Sequence, residues 1–215
     1  SALSVVAASV TAVMTASFAG QGDLLALCEK ATAVVIGPGA GVTPTTRANV
    51  EALAKAGRAL VLDADALTVF AGQADALRAV LNAPAVLTPH AGEFERLFPG
   101  LLAGAANRIA AARAAAGQVN AVVLLKGPAT IIAAPDGRAV VNTHATPFLA
   151  TAGTGDVLAG IVGGLLAQGL APFDAACAAA WMHGDAGLRA GPGLTAEDLE
   201  ASLRATIAAL YAAKP

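Results

Sequence analysis

The feature that most constrains this 215-residue chain is a regular alternation of two patterns through its middle. Short β-branched runs fall at Thr32–Ile36, Ala59–Leu62, Ala85–Leu87 and Ala121–Leu125. Between them lie Ala/Leu-rich segments with helical spacing, such as Thr45–Ala56 and Gly104–Ala116. The runs are continuously apolar, as buried parallel strands are, and strand-helix-strand spacing of this kind places helices on both faces of one sheet. The expected class is α/β, with a mainly parallel central sheet flanked by helices. After Lys126 the pattern changes. Thr130–Ala134 and Arg138–Val141 flank Pro135-Asp136-Gly137, which reads as a β-hairpin turning on Asp-Gly. From Gly155 onward the spacing predicts helices over 156–168, 172–190 and 195–211, with Gly169 and Gly191 as stop signals. No internal repeat or long polar linker interrupts the chain, so a single domain over 1–215 is expected.

Composition enters where it excludes function classes. Hydrophobic residues make up 56% and charged residues 13%, so a sizeable core is easy to build, although much of the apolar content is alanine. Six Phe, one Tyr, one Trp and a net charge of −2 offer neither stacking platforms nor a basic footprint for nucleic acid. Residues 1–20 are uncharged but lack a basic leader region, and their Ser, Thr and Val content predicts a strand or two. The apolar stretch Val157 to Trp181 is interrupted by Gln168, Pro172 and Asp174, which argues against a membrane span. A cytoplasmic protein is expected. Cys28 and Cys177 stand far apart without metal-site spacing and read as small apolar residues rather than a disulfide.

Five segments could carry chemistry, and each has a bland alternative. Ala152-Gly153-Thr154-Gly155-Asp156 ends a loop and opens an apolar helix. Glycines there let successive N–H groups face one concavity, and a helix start adds partial positive charge, which together make an anion site. Asp156 would repel a bound anion, but its carboxylate suits removal of a proton from a hydroxyl that attacks a phosphoryl group. The alternative is that Asp156 only caps the helix. Lys126-Gly127-Pro128-Ala129-Thr130 leaves a buried strand, where Lys126 can reach a phosphate and Thr130 can donate a hydroxyl bond; a turn with a solvated lysine is the other reading. His90 and Glu93, in Leu87-Thr88-Pro89-His90-Ala91-Gly92-Glu93, follow a strand end, where ligands of open α/β sheets bind; Thr88 or His90 capping a helix, with Glu93 satisfying its first N–H groups, is the alternative. Glycines 37, 39 and 41 would let a substrate approach the backbone, without forming a dinucleotide fingerprint because Pro38 intrudes. Asp63 and Asp65 could hold Mg²⁺ through water, or Asp65 could simply cap a helix.

Taken in order, VIGPGAG, LDADAL, LTPHAGEFERL, LLKGPATIIAAPDGR and LATAGTGDVLAGIVGGLLAQG resemble the ADP/ATP-dependent NAD(P)H-hydrate dehydratases across roughly residues 30 to 190. GTGD alone is common to many ribokinase-like kinases; its combination with TPHxGE and KGxxT separates the dehydratases. The resemblance implies a ribokinase-like three-layer sandwich and the repair of hydrated NADH or NADPH, with ADP (or ATP) as co-substrate and Mg²⁺. It places Lys126, Gly127, Pro128, Ala129, Thr130 and Gly155 at the nucleotide, Gly39, His90 and Asp156 at the hydrated dinucleotide, and Asp156 as the catalytic base. Homotetramers are usual in the family. Members begin with a further strand and a glycine-rich helix opening, so this chain is expected to lack a first segment, and a fused epimerase domain as well. Ala152 stands where many members have glycine. Two other readings stay open: a ribokinase-like kinase of a vitamin-precursor alcohol, and an inactive nucleotide-binding fragment.

Overall fold

A computed structural model describes residues 2–10 and 12–213. Six strands form one sheet in sequential order: β1 (Ala33–Ile36), β2 (Ala59–Leu62), β3 (Ala85–Leu87), β4 (Val122–Leu125), β5 (Thr130–Ala133) and β6 (Ala139–Asn142). β1 to β4 run parallel, while β5 pairs antiparallel with both β4 and β6. The helices are α1 (Ala2–Ser9), α2 (Gln21–Leu27), α3 (Pro44–Lys55), α4 (Asp65–Thr68), α5 (Ala74–Val80), α6 (Ala91–Leu97), α7 (Leu101–Gly104), α8 (Arg108–Val119), α9 (Thr154–Ala167), α10 (Pro172–Ala190) and α11 (Asp198–Ala212).

The strict alternation of side chains along a strand builds two cores. Leu60, Leu62, Ala85, Leu87, Val123, Leu125, Ile131 and Ala133 face one layer, where they pack with Val50, Leu53, Phe70, Leu77, Phe94 and the alanines of α8. Their neighbours Val61, Val86, Val122, Leu124 and Ile132 face the other, against Leu158, Val162 and Leu166 of α9 and Ala175, Ala176 and Ala179 of α10. Both faces of the central strands are therefore dry, which is why they read as unbroken apolar runs.

Each strand predicted between residues 32 and 141 is present within a residue at its ends. The segment 104–116 is the least regular match: α7 stops at Gly104, and α8 starts at Arg108 behind the N-cap Asn107, whose side chain accepts the Ala110 N–H at 2.9 Å. Asn120, left-handed at φ 51°, closes α8. The expectation of one or two strands within residues 1–20 is corrected: Ala2–Ser9 is helical and 12–20 has no regular structure, while Ser1 and Thr11 lie outside the described residues. Among the described residues no strand borders Ala2–Ser9 to supply a ladder, and with its three alanines and one leucine local helix preference decides. No described helix is long and apolar enough to cross a membrane. Cys28 and Cys177 are free thiols.

The topology also fixes where chemistry can gather. β6 reverses twice relative to β4 and so points the same way as β1 to β4. The chain leaving Asn142 is thus delivered to the carboxyl ends of the parallel strands, where α9 begins.

Candidate functional site

The site is built from the carboxyl ends of β1 to β4 and the start of α9, the place where open α/β sheets bind ligands. At the end of β1, Gly37 adopts φ 133°, and a Cβ there would fall on the Asp63 carbonyl oxygen, so only glycine lets the two strand ends close together. Gly39, exposed and at φ 66°, borders open space. Gly41 donates its N–H to Asp65 Oδ2 at 2.8 Å. Asp65 is the first residue of α4 and ties the β1 loop down rather than capping its own helix. Between the two aspartates, Ala64 sits at φ 48°, ψ −117°, a strained conformation for a residue with a Cβ that costs roughly 1–3 kcal/mol.

The β3 and β4 ends meet around one ammonium group. Lys126 donates its backbone N–H to the Pro89 carbonyl at 2.8 Å and is held from behind by Arg108, which donates to the Lys126 carbonyl at 3.1 Å. Its Nζ lies 2.9 Å from Asp63 Oδ1 and 3.8 Å from Glu93 Oε2. Asp63 is 1% exposed and Glu93 7%, so this lysine is no solvated turn residue but the counter-charge of two buried carboxylates. Glu93 in turn accepts the His90 N–H at 2.8 Å, and His90 Nδ1 accepts the N–H groups of Gly92 and Glu93. This is a full capping box opening α6. Since Nδ1 accepts, the ring proton resides on Nε2, which lies 3.4 Å from Glu93 Oε1. The capping reading of His90 is thus realised, with its Nε2 edge half-exposed at the site.

The α9 start comes down on the same spot. Gly153, left-handed at φ 84°, is the N-cap, and a Cβ on Gly155 would lie 3.3 Å from Lys126 Nζ. Thr154 donates its hydroxyl to the carbonyls of Leu149 and Thr151, which fixes the loop that precedes the helix. Asp156 is therefore not the cap. Its carboxylate is exposed and makes no hydrogen bond or ion pair among the described residues. Lys126 and Gly155 lie side by side, Gly127, Pro128 and Ala129 form the β4–β5 loop beside them with Gly127 and Pro128 exposed, and Thr130 opens β5. A separate apolar groove of about 540 Å³ between α9 and α11, lined by Ile161, Leu165 and Leu203, contains none of these residues.

One residue missed by the sequence reading is His183 of α10. It is 8% exposed, and its Nε2 is buried without a hydrogen-bond partner among the described residues. Burial pushes its pKa down to about 4, the Thr154 carbonyl pulls the other way, and the Lys126 charge adds to the depression. It is an uncharged group packed beneath the α9 start. Its signal in the sequence was its place on the helix face shared with Ala176, Ala179, Ala180 and Gly187, which marks it as buried.

As a constellation, a lysine charge and the free N–H groups of a helix start supply an anion site, and an uncommitted carboxylate stands in that helix's first turn. As a metal site the arrangement is poor. Asp63 and Asp65 are occupied by Lys126 and Gly41, and no cluster of three His, Cys, Asp or Glu suited to a metal exists among the described residues.

The family model of the NAD(P)H-hydrate dehydratase matches residues 1–208. The chain belongs to the NAD(P)H-hydrate dehydratase family. Its sequence is 49% identical over 164 residues to the bifunctional NAD(P)H-hydrate repair enzyme Nnr of Salinibacter ruber, covering 76% of this chain and 30% of that protein. It is 43% identical over 171 residues to the ADP-dependent (S)-NAD(P)H-hydrate dehydratase of Neisseria meningitidis, covering 76% of this chain and 57% of the relative. The chain thus spans under two thirds of the length of these family members. Among solved structures, the ADP/ATP-dependent NAD(P)H-hydrate dehydratase of Bacillus subtilis, co-crystallised with ATP/Mg²⁺, superposes with a TM-score of 0.73 at 33% identity, over 83% of this chain and 64% of that one. Ribokinase-like structures share the family fold, as the motifs implied.

Proposed function

We propose that this chain performs the dehydration of hydrated NADH or NADPH with ADP as co-substrate. The observation that carries the reading is the carboxylate of Asp156, free of partners among the described residues and one residue beyond Gly155, which packs against Lys126. The family relation to an ADP-dependent dehydratase supports it. Hydroxide leaves a nicotinamide ring poorly near neutral pH, so it is first esterified. Asp156 accepts the hydroxyl proton as the oxygen attacks the terminal phosphoryl group of ADP, releasing AMP. Lys126 and the α9 N–H groups hold the phosphoryl oxygens. Phosphate then departs as the lone pair of the ring nitrogen pushes in, and loss of a proton from the adjacent ring carbon restores the ring double bond of NAD(P)H.

In this reading Lys126, Gly127, Pro128, Ala129, Thr130 and Gly155 line the nucleotide, while Gly39, His90 and Asp156 face the dinucleotide. Mg²⁺ belongs with the nucleotide phosphates rather than with a protein cage, since this ion needs only one or two carboxylates beside phosphate and the nearby aspartates are already engaged. A single domain over 1–215, a homotetramer and a cytoplasmic location complete the proposal. The test is recovery of NADH absorbance from purified hydrated NADH. ADP-dependent recovery with one AMP formed per NADH is expected. Silence towards the hydrate, together with phosphorylation of a vitamin-precursor alcohol, would replace the dehydratase with a kinase.

A further inference from the structure

We propose that Glu93 couples the two halves of this site, so that nucleotide and dinucleotide each tighten the other's binding. The inference rests on the functional reading above and assigns a role to a residue that reading leaves idle. Glu93 is 7% exposed, and its two oxygens face different partners. Oε2 lies 3.8 Å from Lys126 Nζ and accepts the His90 backbone N–H at 2.8 Å; Oε1 lies 3.4 Å from His90 Nε2. Lys126 belongs to the nucleotide half and His90 to the dinucleotide half, so one buried carboxylate touches both.

Its charge cannot be given fully to both neighbours. Without a nucleotide, Glu93 and Asp63 share the Lys126 ammonium. A phosphoryl group seated between Lys126 and the α9 start draws that ammonium toward itself, and the Glu93 charge is left to the His90 ring. The imidazole has little freedom of its own, because Nδ1 is spent on the α6 cap and only the Nε2–H edge faces the site. A stronger Glu93–His90 contact therefore fixes that edge in advance and lowers the ordering cost of binding the dinucleotide. Linkage makes the effect reciprocal: whatever factor ADP adds to dinucleotide affinity, the dinucleotide adds to ADP affinity.

The test is a calorimetric titration of ADP with and without saturating NADPH, the stable relative of the hydrate, and of NADPH with and without ADP. The wild-type chain should show each ligand tightening the other by the same factor, about five-fold or more. Glu93→Gln keeps an acceptor for the His90 N–H, as capping boxes tolerate Gln, and Glu93→Asp keeps the charge in the first turn of α6 but shortens the side chain so that it no longer reaches both neighbours. Both variants should retain the helical circular dichroism spectrum and bind each ligand singly, with the coupling factor reduced to within two-fold of unity, an estimate of roughly the lower edge of measurable linkage. If one variant fails to fold, the other carries the comparison. Binding of both ligands with no mutual effect in the wild type, or an unchanged factor in the variants, overturns the coupling alone. Failure to bind ADP at all removes the functional reading and the coupling with it.

Discussion

At the strand ends, His90, Glu93, Lys126 and Asp63 form one polar network; where α10 meets α11, His144, Asp185, Arg189 and Thr206 form another. In the second, Asp185 Oδ1 meets His144 Nε2 at 3.2 Å, and Oδ2 accepts from Arg189 at 2.6 Å and Thr206 at 2.7 Å. The His144 ring is stacked on Trp181, with centroids 5.0 Å apart. Every strong group there is answered by the protein, and the network clamps the loop after β6 onto α10. At the strand ends the inventory of residue types is similar, but the cluster borders three unanswered elements: the first N–H groups of α9, the exposed Gly39 turn and the carboxylate of Asp156. A gathering of charges does not by itself mark a functional site. What separates the two is capacity left over for a ligand.

The comparison can be broken or sharpened by substitution. The largest effect is expected for Lys126→Met, which leaves Asp63 and Glu93 buried without their counter-charge. Loss of about 3–5 kcal/mol is predicted from urea unfolding, together with loss of ADP binding. A stability change under about 1 kcal/mol would show that the lysine is not the keystone of the strand-end network.

Second comes His183, whose pKa is about 4 in the folded chain against an ordinary 6.5. Between these values the unfolded chain binds the extra proton, so stability present above pH 6.5 is lost as pH falls towards 4. The loss is about 2–3 kcal/mol, and His183→Gln should flatten that limb of the stability profile. An unchanged limb in the variant would place the acid sensitivity elsewhere.

Smallest is the clamp. Burial alone would raise the Asp185 pKa, but hydrogen bonds from Arg189, Thr206 and His144, with the Arg189 charge, outweigh it and bring the value down to about 2. Stability held above pH 4 should fall as pH drops through 2. Asp185→Asn should remove about 1 kcal/mol of that dependence, discounted because the group lies near solvent, and leave ADP binding intact. A variant that lost ADP binding would merge the two networks into one functional unit.

The sequence made the scaffold legible because central parallel strands bury both faces and so appear as unbroken apolar runs, bounded here by Gly, Pro and Asp. The strand-end segments were legible as candidates for the same reason, since each follows such a run. The pairing of Lys126 with Asp63 was not. It joins residues 63 positions apart, and only the register of β2, β3 and β4 brings them together. His183 escaped notice because a histidine in an alanine-rich helix gives no sign of what lies opposite. The segment before Gly20 misled because valine and threonine favour strands only where a partner strand exists, and among the described residues none borders it.

The central claim is that the uncommitted carboxylate of Asp156, rather than any of the paired acids, does the chemistry. Turnover of hydrated NADH with saturating ADP should be compared in Asp156→Asn and Asp185→Asn, with ADP binding measured in each. The account predicts that Asp156→Asn binds ADP but turns over at least roughly 100-fold more slowly, while Asp185→Asn stays within a few-fold of wild type. Turnover of Asp156→Asn within a few-fold of wild type would contradict it.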